Sequence, residues 1–436
     1  METMKLNKNI KCFFAGDLFI SNRLSDLDVR RISPIAVFAK SHDCRFGNLE
    51  TALLPVNSGS PAMFPGGGYA MADPKCAVDI RRLGFNLLNA ATNHAMDYGE
   101  GGCIETIKAL HSAKLSFTGL GHDLESASAP AYLKTKAGIV SMLGVTSSFH
   151  DSYAAGPSNS DVIGRPGVSP LRHKALYHLP ENDYRILARI ASECGINYYH
   201  DIGRKYGYLP KEDKLKFGTF DFVIGHEAGV ETHPLKADMD RTIKQILLAK
   251  ENSDFVIVSC HSHQFKGTDN AIPPDFVSEF SHSCIDIGAD IVVCHGPHIL
   301  RGIEIYKGGL VLHGLGNFIF QNEQQKVLPE EFYLKYGLTR QSCNGPQDAF
   351  RARSKNGTVG IIASEKEWKG AVFSVTAGLD FFYVEARPIV INKIDGLPAF
   401  TEDIGVLQML CDLSTQFGTD LEIDSNNVIA SLKVAR

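Results

Sequence analysis

The sequence predicts an α/β fold, and its apolar runs are the first observation behind that prediction. Short apolar runs recur along the 436 residues, and most of them are continuous rather than alternating in polarity. A continuous apolar run is typical of a strand that is buried on both faces of its sheet. The runs are KCFFAG, CRFGNL, FNLLNAAT, GIVSMLGV, FVIVSC, DIVVC and LVLHGLGNFIF.

Helix-like segments fill many of the gaps between these runs, which is the second observation. One of them, 238–252, has four apolar residues on one helical face: Met239, Ile243, Ile246 and Leu247. The segments of this kind are 74–83, 100–113, 238–252 and 275–288. Alternation of strand and helix along one chain is the pattern of the α/β class.

We predict a single domain over residues 10–400 that carries two insertions. The segment 150–220 is rich in Gly, Pro, Tyr and His, and the segment 321–358 is polar. Such composition is typical of loops or lids added to a core. A final strand pair, FSVTAG and FFYVEARPIVI, precedes residues 401–436, which we predict to be a helical tail.

The charge balance argues against nucleic acid and anionic membranes as partners. The chain has 44 Lys and Arg against 49 Asp and Glu, a formal net charge of -5 at pH 7. Both partners would favour a basic surface. Near the N-terminus, Asp17 interrupts the first apolar stretch well before the ~20 apolar residues of a membrane span. We therefore predict no membrane anchor and no signal peptide.

The cysteines predict a reducing compartment. None of the ten has a C-x-x-C partner, and several lie inside apolar runs, among them Cys12, Cys44, Cys260 and Cys294. This pattern disfavours a zinc ribbon or a secreted disulfide framework. We interpret Cys260 and Cys294 as buried core residues and predict a cytoplasmic protein.

Polar residues follow five of the apolar runs directly, where the carboxyl ends of strands line the ligand crevice of an α/β sheet. Any one of them alone is more simply a cap or a loop hydrogen-bonding residue, because turns favour such side chains. Five strand ends that all carry possible cation ligands favour a shared site instead. These residues are Asp17, then Glu50, then Asn93 and His94, then His261 and His263, and finally His295 and His298.

Carboxylate, amide and imidazole groups together predict a divalent metal site. This ligand mixture suits Mn, Fe, Co or Zn, and two such ions ~3.5–4 Å apart can activate a water and neutralise an oxyanion. Two ions need a bridging carboxylate, for which Glu50 is available. Between His295 and His298, Gly296 permits a tight turn and Pro297 fixes one φ angle, so both imidazoles can face one point.

Other polar residues are weaker candidates. Asp97 precedes a helix and is either a helix cap or an orienting partner within the site. Arg165 and Arg172 could grip a carboxylate or phosphate of the substrate, or lie on the surface. His226 and Glu227 follow the run DFVIG and are candidate substrate-binding residues.

Several motifs resemble those of the bacterial capsule synthesis CapA family, which is named for poly-γ-glutamate production. They are GD at 16–17, GNLET at 47–51, ATNHAMDYGEGG at 91–102, the strand end at His261, and GADIVVCHGPHILRGIEIYKGGLVLHGLGNFIF at 288–320. The resemblance covers roughly residues 10–320. The resemblance implies that the protein belongs to a branch of the calcineurin-like metallophosphoesterases. It also implies a four-layer α-β-β-α sandwich with a metal centre at the strand ends.

The resemblance also implies roles for individual residues. His94 would assist the leaving group with Asp97 as its partner, and His263 would be an additional ligand. The implied metal ligands are Asp17, Glu50, Asn93, His261, His295 and His298. One implied metal position is complete, with Glu50, Asn93, His261 and His295 as its ligands. Its neighbour is left with Asp17, Glu50 and His298 only, and His263 could supplement it.

The chain departs from the phosphoesterase pattern at three points. Phe19 stands where those enzymes have a histidine two residues after the first aspartate. Glu50 stands where they have their second aspartate, and His295 and His298 are three residues apart rather than two.

The function that we expect from the sequence is metal-dependent hydrolysis. The substrate expected first is a γ-glutamyl or other peptide-like amide, in a poly-γ-glutamate or capsule-related pathway. Two alternatives stay open: a metallophosphoesterase, and a non-catalytic component of polyglutamate or capsule assembly.

Overall fold

Strands and helices alternate along the chain in a computed structural model that describes residues 9–210 and 212–436. The α/β class predicted from the apolar runs is confirmed. The helices are α1 Ser33–Lys40, α2 Cys76–Leu83, α3 Gly99–Ser112, α4 Leu124–Ser128, α5 Glu181–Glu193, α6 Tyr198–Lys205, α7 Lys236–Asn252, α8 Asp275–Ile287, α9 Glu330–Lys335, α10 Pro346–Arg353 and α11 Ile404–Thr415.

The strands form two large sheets and three smaller ones. They are β1 Ile10–Phe19, β2 Cys44–Leu49, β3 Ala52–Leu53, β4 Met71–Ala72, β5 Leu87–Asn89, β6 Ser116–Thr118, β7 Leu120–Gly121, β8 Ala131–Lys134, β9 Ile139–Thr146, β10 Gly167–Val168, β11 His173–Leu179, β12 Leu215–Phe217, β13 Phe220–Ile224, β14 Gly229–Pro234, β15 Phe255–His261, β16 Ile291–His295, β17 Ile303–Tyr306, β18 Gly309–Leu312, β19 Asn317–Phe320, β20 Lys369–Ala377, β21 Phe381–Ile391, β22 Pro398–Phe400, β23 Glu422–Asp424 and β24 Ile429–Ala435.

The larger sheet has the order β23-β24-β21-β20-β1-β2-β5-β6, with β19 added beside β1 and β22 beside β21. Strand β1 is central to it. The first half of β1 pairs antiparallel with β20, its end pairs parallel with β19, and its other edge pairs parallel with β2. The second sheet has the order β17-β18-β16-β15-β9-β8, and β9, β15, β16 and β18 run parallel.

Buried side chains from both large sheets share one hydrophobic cluster. Phe14 and Phe46 of the first sheet meet Phe255 and Ile257 of the second in this cluster. Burial of such aromatic and aliphatic side chains is the main favourable term in folding. The two sheets therefore hold their strand ends in a fixed relation to each other.

Each large sheet also has a second buried cluster shared with helices. Phe13 and Leu88 of the first sheet cluster with residues of α1, α2 and α3. Val258 and Val292 of the second sheet cluster with residues of α7 and α8. Alternate residues of each strand thus reach different clusters, as the period of two along a strand requires.

The first predicted insertion contains a sheet of its own. Strands β12, β13, β11 and β14 form it in that order, between residues 173 and 234, and helices α5 and α6 lie within the same segment. The segment thus extends beyond the predicted boundary at 220. Short strands with partly exposed side chains gave a weak signal in the sequence.

The second predicted insertion contains α9 and α10, which dock on the rest of the chain through aromatic side chains. Phe332 and Phe350 pack with Tyr69, Met71 and Tyr98 in one buried cluster. This contact brings the segment next to the loop that precedes β4.

The tail after residue 400 differs from the helical prediction for 401–436. Helix α11 is present, but β23 and β24 follow it, and β24 pairs antiparallel with β21 in the larger sheet. The pairing explains the difference, because β24 lies between β23 and β21 and is stabilised by a partner strand that is distant in sequence.

Cys260 and Cys294 lie buried and directly opposite each other on β15 and β16, which confirms their assignment to the core. In the described part of the chain, no helix combines the length and the apolar character that a membrane crossing requires.

Candidate metal centre

Polar side chains from the ends of both large sheets meet in one buried cluster. Asp17 lies on β1, Glu50 follows β2, His261 ends β15 and His295 ends β16. Each of these four, together with His298, is at most 4% exposed. Such burial of ionisable groups is costly unless they are paired or bind a cation, so the cluster needs a chemical explanation.

Glu50 lies at the centre of this cluster. Its Oε1 lies 3.4 Å from Nε2 of His298, 3.5 Å from Nε2 of His263 and 3.7 Å from Nε2 of His261. Among the described residues, neither carboxylate oxygen of Glu50 has a hydrogen-bond partner. Burial raises the pKa of Glu50 well above its usual value, and the nearby charge of Asp17 adds to this effect although His298 opposes it.

Asp17 contacts His295, the last residue of β16, and His298 in the turn that follows. Its Oδ2 lies 3.3 Å from Nδ1 of His298 and its Oδ1 lies 3.6 Å from Nδ1 of His295, while Asn48 Nδ2 donates to Oδ1 at 2.9 Å. Burial by itself would raise the pKa of Asp17, but the two histidines outweigh it and hold that pKa well below its usual value.

The turn after β16 brings His298 to its place in the cluster. Gly296 and His298 both have positive φ angles, 105° and 59°. A β-carbon on Gly296 would lie 2.9 Å from the backbone of Ser262, so only glycine fits there. Nδ1 of His298 donates to Asn317 Oδ1 at 2.8 Å, which leaves Nε2 facing Glu50.

Burial lowers the pKa of His298, but Glu50 and Asp17 raise it more strongly, to about 9. Without a metal, the charges of Glu50 and Asp17 therefore favour the protonated form of this imidazole.

His261, His263 and Asn93 line the other side of the cluster. Nε2 of His261 lies 2.9 Å from Oδ1 of Asn93 and 3.1 Å from Nε2 of His263. Burial lowers the pKa of His261 to about 3, so its imidazole is neutral at pH 7 and able to bind a metal. His263 is more open, with a third of its side chain accessible.

These residues fit a divalent metal ion. Ligand atoms of Glu50, His263 and His298 all lie within 4.8 Å of one another. Both ring nitrogens of buried His295 lack a hydrogen-bond partner among the described residues, as do both oxygens of Glu50. Carboxylate oxygens and imidazole nitrogens gathered in one buried cluster are a donor set that suits Mn, Fe, Co or Zn.

His94 and Asp97 form a pair beside the cluster. Nδ1 of His94 lies 2.6 Å from Oδ2 of Asp97, and Asp97 also accepts hydrogen bonds from the backbone N–H groups of Gly66 and Ala70 at 2.8 and 2.7 Å. The ring of Phe19 packs edge-on against His94, with centroids 5.0 Å apart. These contacts fix the orientation of the His94 imidazole.

Three asparagines that the sequence analysis did not assign to the site support its members. Asn89 donates to Asn48 at 2.8 Å, Asn48 contacts both Asp17 and His261, and Asn317 binds His298. The available signal was an amide residue inside an otherwise apolar run, as in CRFGNL and LGNFIF.

The glycine loop 66–68 is a further feature that the sequence analysis missed. The carbonyl oxygen of Gly66 accepts a hydrogen bond from Asn93 Nδ2 at 2.8 Å, and its N–H donates to Asp97. A β-carbon on Gly66 would lie 2.6 Å from the carbonyl oxygen of Asn93. The run PGGGY at 65–69 was the signal for such a close approach.

The four candidate substrate residues do not join the cluster. The guanidinium of Arg165 donates to the carbonyl oxygen of Ala154, and His226 and Glu227 are exposed in the loop between β13 and β14. Among the described residues, no hydrogen bond or ion pair connects Arg165, Arg172, His226 or Glu227 to the cluster. Their substrate-binding roles stay predictions.

Arg172 is engaged by a buried carboxylate. Its Nε and Nη2 donate to Asp238 at 2.9 and 2.8 Å, and Arg241 donates to Asp238 at 2.7 Å. Burial opposes ionisation of Asp238, but the two arginines hold its pKa below the usual value. The ion pairs therefore favour a structural role for Arg172.

Asp238→Ala is expected to lower the free energy of unfolding by about 3 kcal/mol, because it leaves two partly buried guanidinium groups without their anion. Because the folded-state pKa is lowered, the contribution of Asp238 is present above pH ~4 and is lost as the pH falls through the folded-state pKa. Urea denaturation at pH 7 and at pH 3 measures both effects. Asp240→Ala is the control on the same helix. If Asp238→Ala were as stable as wild type at pH 7, the structural role assigned to Asp238 would be contradicted.

Comparisons with known proteins identify the family of this chain. A family model described as bacterial capsule synthesis protein PGA_cap matches residues 11–322. The chain is 27% identical over 425 residues to the Uncharacterized protein y4sH of Sinorhizobium fredii (strain NBRC 101917 / NGR234), which covers 94% of this chain and 90% of that protein.

Two further relatives have the CapA name. The Capsule biosynthesis protein CapA of Bacillus anthracis is 23% identical over 327 residues, 72% of this chain and 60% of that protein. The PGA biosynthesis protein CapA of Bacillus subtilis (strain 168) is 26% identical over 242 residues, 55% of this chain and 44% of that protein.

Proposed function

The chain belongs to the bacterial capsule synthesis protein PGA_cap family, as its motifs predicted, and on that premise we propose that it is a metal-dependent hydrolase. The proposed substrate is a γ-glutamyl or related peptide-like amide. The names of the two Bacillus relatives, one for capsule biosynthesis and one for PGA biosynthesis, support a capsule-related or poly-γ-glutamate pathway.

The observation that carries this proposal is the buried carboxylate of Glu50. It is 0% exposed, both of its oxygens lack hydrogen-bond partners among the described residues, and three imidazoles lie within 3.7 Å of Oε1. A purely structural carboxylate at this depth would be hydrogen-bonded. A divalent cation would satisfy its oxygens and repay the cost of burying them.

The proposed ligands lie around Glu50. Nε2 of His261, His263 and His298 all lie near Oε1 of Glu50, while Asp17 contacts His295 and His298, so Glu50 would be the ligand that these groups share. A bound divalent ion supplies an activated water and stabilises a developing oxyanion. His263 would be the supplementary ligand that the sequence predicts, since its Nε2 lies 3.5 Å from Oε1 of Glu50.

His94 and Asp97 supply the proton chemistry in this proposal. Asp97 accepts from Nδ1 of His94, so Nε2 is left to hold a proton for the leaving amine. The backbone N–H groups of Gly66 and Ala70 keep the Asp97 carboxylate oriented. Phe19 then excludes water from one edge of the imidazole.

We also propose that the two large sheets and their flanking helices form a four-layer α-β-β-α sandwich of the metallophosphoesterase type. Three hydrophobic clusters support it, one shared by the sheets and one between each sheet and its helices. A cytoplasmic location belongs to the same proposal, and the free state of all ten cysteines supports it.

Metal analysis combined with assays on two substrates tests the proposal. We expect purified protein to contain Mn, Fe, Co or Zn, and to hydrolyse γ-glutamyl-p-nitroanilide in preference to bis-p-nitrophenyl phosphate. Turnover of the phosphodiester alone would favour the metallophosphoesterase alternative. Metal without either activity would favour a non-catalytic assembly component, and absence of metal would contradict the site itself.

His94→Ala separates catalysis from metal binding within the same experiment. Because His94 is not a proposed ligand, we expect the metal content to stay unchanged while kcat falls about 10²- to 10⁴-fold. His150→Ala is the control, since that histidine is exposed and bonded to Ser152. A loss of metal from His94→Ala that matches its loss of activity would contradict the assigned division of roles.

A further inference from the structure

Arg353, the last residue of α10, lies against the glycine loop 66–68. A β-carbon built on Gly68 would lie 3.3 Å from Nη1 of Arg353 and 3.6 Å from the ring of Phe332. Phe332 and Phe350 fix this arrangement, because both belong to the buried cluster by which α9 and α10 dock. The guanidinium is therefore held beside the loop by a packed helix.

This guanidinium makes no hydrogen bond and no close ion pair within residues 9–210 and 212–436, although the carboxyl of Glu323 is near enough for the two charges to interact. No carboxylate oxygen lies within 4 Å of it, and it donates no hydrogen bond there, although it is only partly exposed. Arg351, two residues earlier on the same helix, is in contrast paired with Asp348. A partly desolvated guanidinium without a hydrogen-bonded partner favours an anion.

The glycine loop connects Arg353 to the proposed metal centre. Gly66, two residues before Gly68, bonds through its carbonyl to Asn93 and through its N–H to Asp97. Gly67 is open, since a β-carbon there would meet nothing within 4 Å. The loop therefore has no side chains between the guanidinium of Arg353 and Asn93 and Asp97 of the proposed site.

We propose that Arg353 binds a carboxylate of the substrate, and specifically the α-carboxylate of a γ-glutamyl group. This inference rests on the proposed function. A γ-glutamyl amide has a free α-carboxylate separated from its scissile carbonyl by a short methylene chain, so the carboxylate can reach across the loop while the carbonyl lies at the metal centre. The forked donors of arginine match a carboxylate bidentately. Arg353 is then a specificity-determining residue.

A pair of matched substrates tests this assignment. γ-Glutamyl-p-nitroanilide carries the α-carboxylate, and 4-aminobutyryl-p-nitroanilide is the same amide without it. Arg353→Gln is expected to raise KM for the first about 10- to 100-fold with little change in kcat, and to leave KM for the second unchanged. Arg353→Lys should restore part of the effect, and Arg351→Gln is the control on the same helix.

Equal changes of KM for both substrates, or no change for either, would overturn the proposal. Calorimetric titration with glutarate gives a second measurement that needs no turnover. We expect wild type and Arg351→Gln to bind glutarate at least about 10-fold more tightly than Arg353→Gln does. Failure of wild type to bind glutarate would overturn the inference, whereas unchanged metal content in Arg353→Gln keeps this outcome distinct from failure of the metal centre.

The same titration with inorganic phosphate identifies the anion class. Weaker phosphate binding in Arg353→Gln, without any effect on glutarate, would assign the guanidinium to a phosphoester and overturn the carboxylate proposal. A larger effect on glutarate than on phosphate supports it.

Discussion

Glu50→Gln is expected to abolish metal binding and hydrolysis while leaving the fold intact. Residues that merely support metal ligands contribute about 10- to 100-fold to metal affinity, so removal of a bridging ligand should cost at least about 100-fold. The metal-free variant should unfold at a temperature no lower than wild type, because a buried carboxylate without partners is replaced by a neutral amide of the same shape.

Two measurements check this expectation. Elemental analysis should find the variant depleted of Mn, Fe, Co and Zn, and added Mn²⁺ should raise the thermal midpoint of wild type only, because binding to the folded state stabilises it. Glu367→Gln is the matched control, since Glu367 is also buried and its Oε2 also lacks a partner among the described residues. Retention of metal and activity in Glu50→Gln would refute the proposed centre.

Gly16→Ala is expected to destabilise the whole protein. A β-carbon on Gly16 would overlap the carbonyl oxygen of Gly316 and lie 2.8 Å from its carbonyl carbon. The same carbonyl accepts the N–H of Asp17, so the strands cannot separate without losing this bond. We expect the free energy of unfolding to fall by about 3 kcal/mol or more, because rigid backbone lies on both sides of the clash.

Chemical denaturation and metal titration together report this effect. Any folded fraction of Gly16→Ala should also bind metal more weakly, because the clash displaces Asp17. Gly229→Ala is the control, since a β-carbon at that exposed position meets nothing within 4 Å and its φ is not positive. Equal stability of the two variants would show that the approach of β1 to Gly316 is not as close as described.

The sequence predicted the α/β class and the convergence of strand ends because both depend on local patterns. Continuous apolar runs identify buried strands, and the carboxyl ends of parallel strands in one sheet lie at the same edge. Asp17 and Glu50 meet at the edge of one sheet, and His261 and His295 at the edge of the other, for this reason. The packing of the two sheets then brings the two pairs together. Their roles as ligands are still predictions that metal analysis must test.

The supporting contacts could not be predicted, because they depend on partners far away in sequence. Asn48 of one sheet contacts His261 of the other. Asp238 accepts hydrogen bonds from the guanidinium of Arg172, which was predicted as a candidate substrate-binding group. Nothing local to either residue specifies such a partner. Strand β24 is a further example, since it forms by pairing with β21, which is distant in sequence.

The position of β1 has a consequence for the order of events during synthesis. Just after β1, the backbone N–H of Ser21 donates a hydrogen bond to the side chain of Gln321, which is 300 residues later in the sequence. At about 5–20 residues per second, a ribosome needs about 15–60 s to produce the intervening chain. Asp17 lacks its neighbours His295, His298 and β19 until that part of the chain has been made. The cluster therefore assembles late in translation, and binding of the proposed metal would follow it.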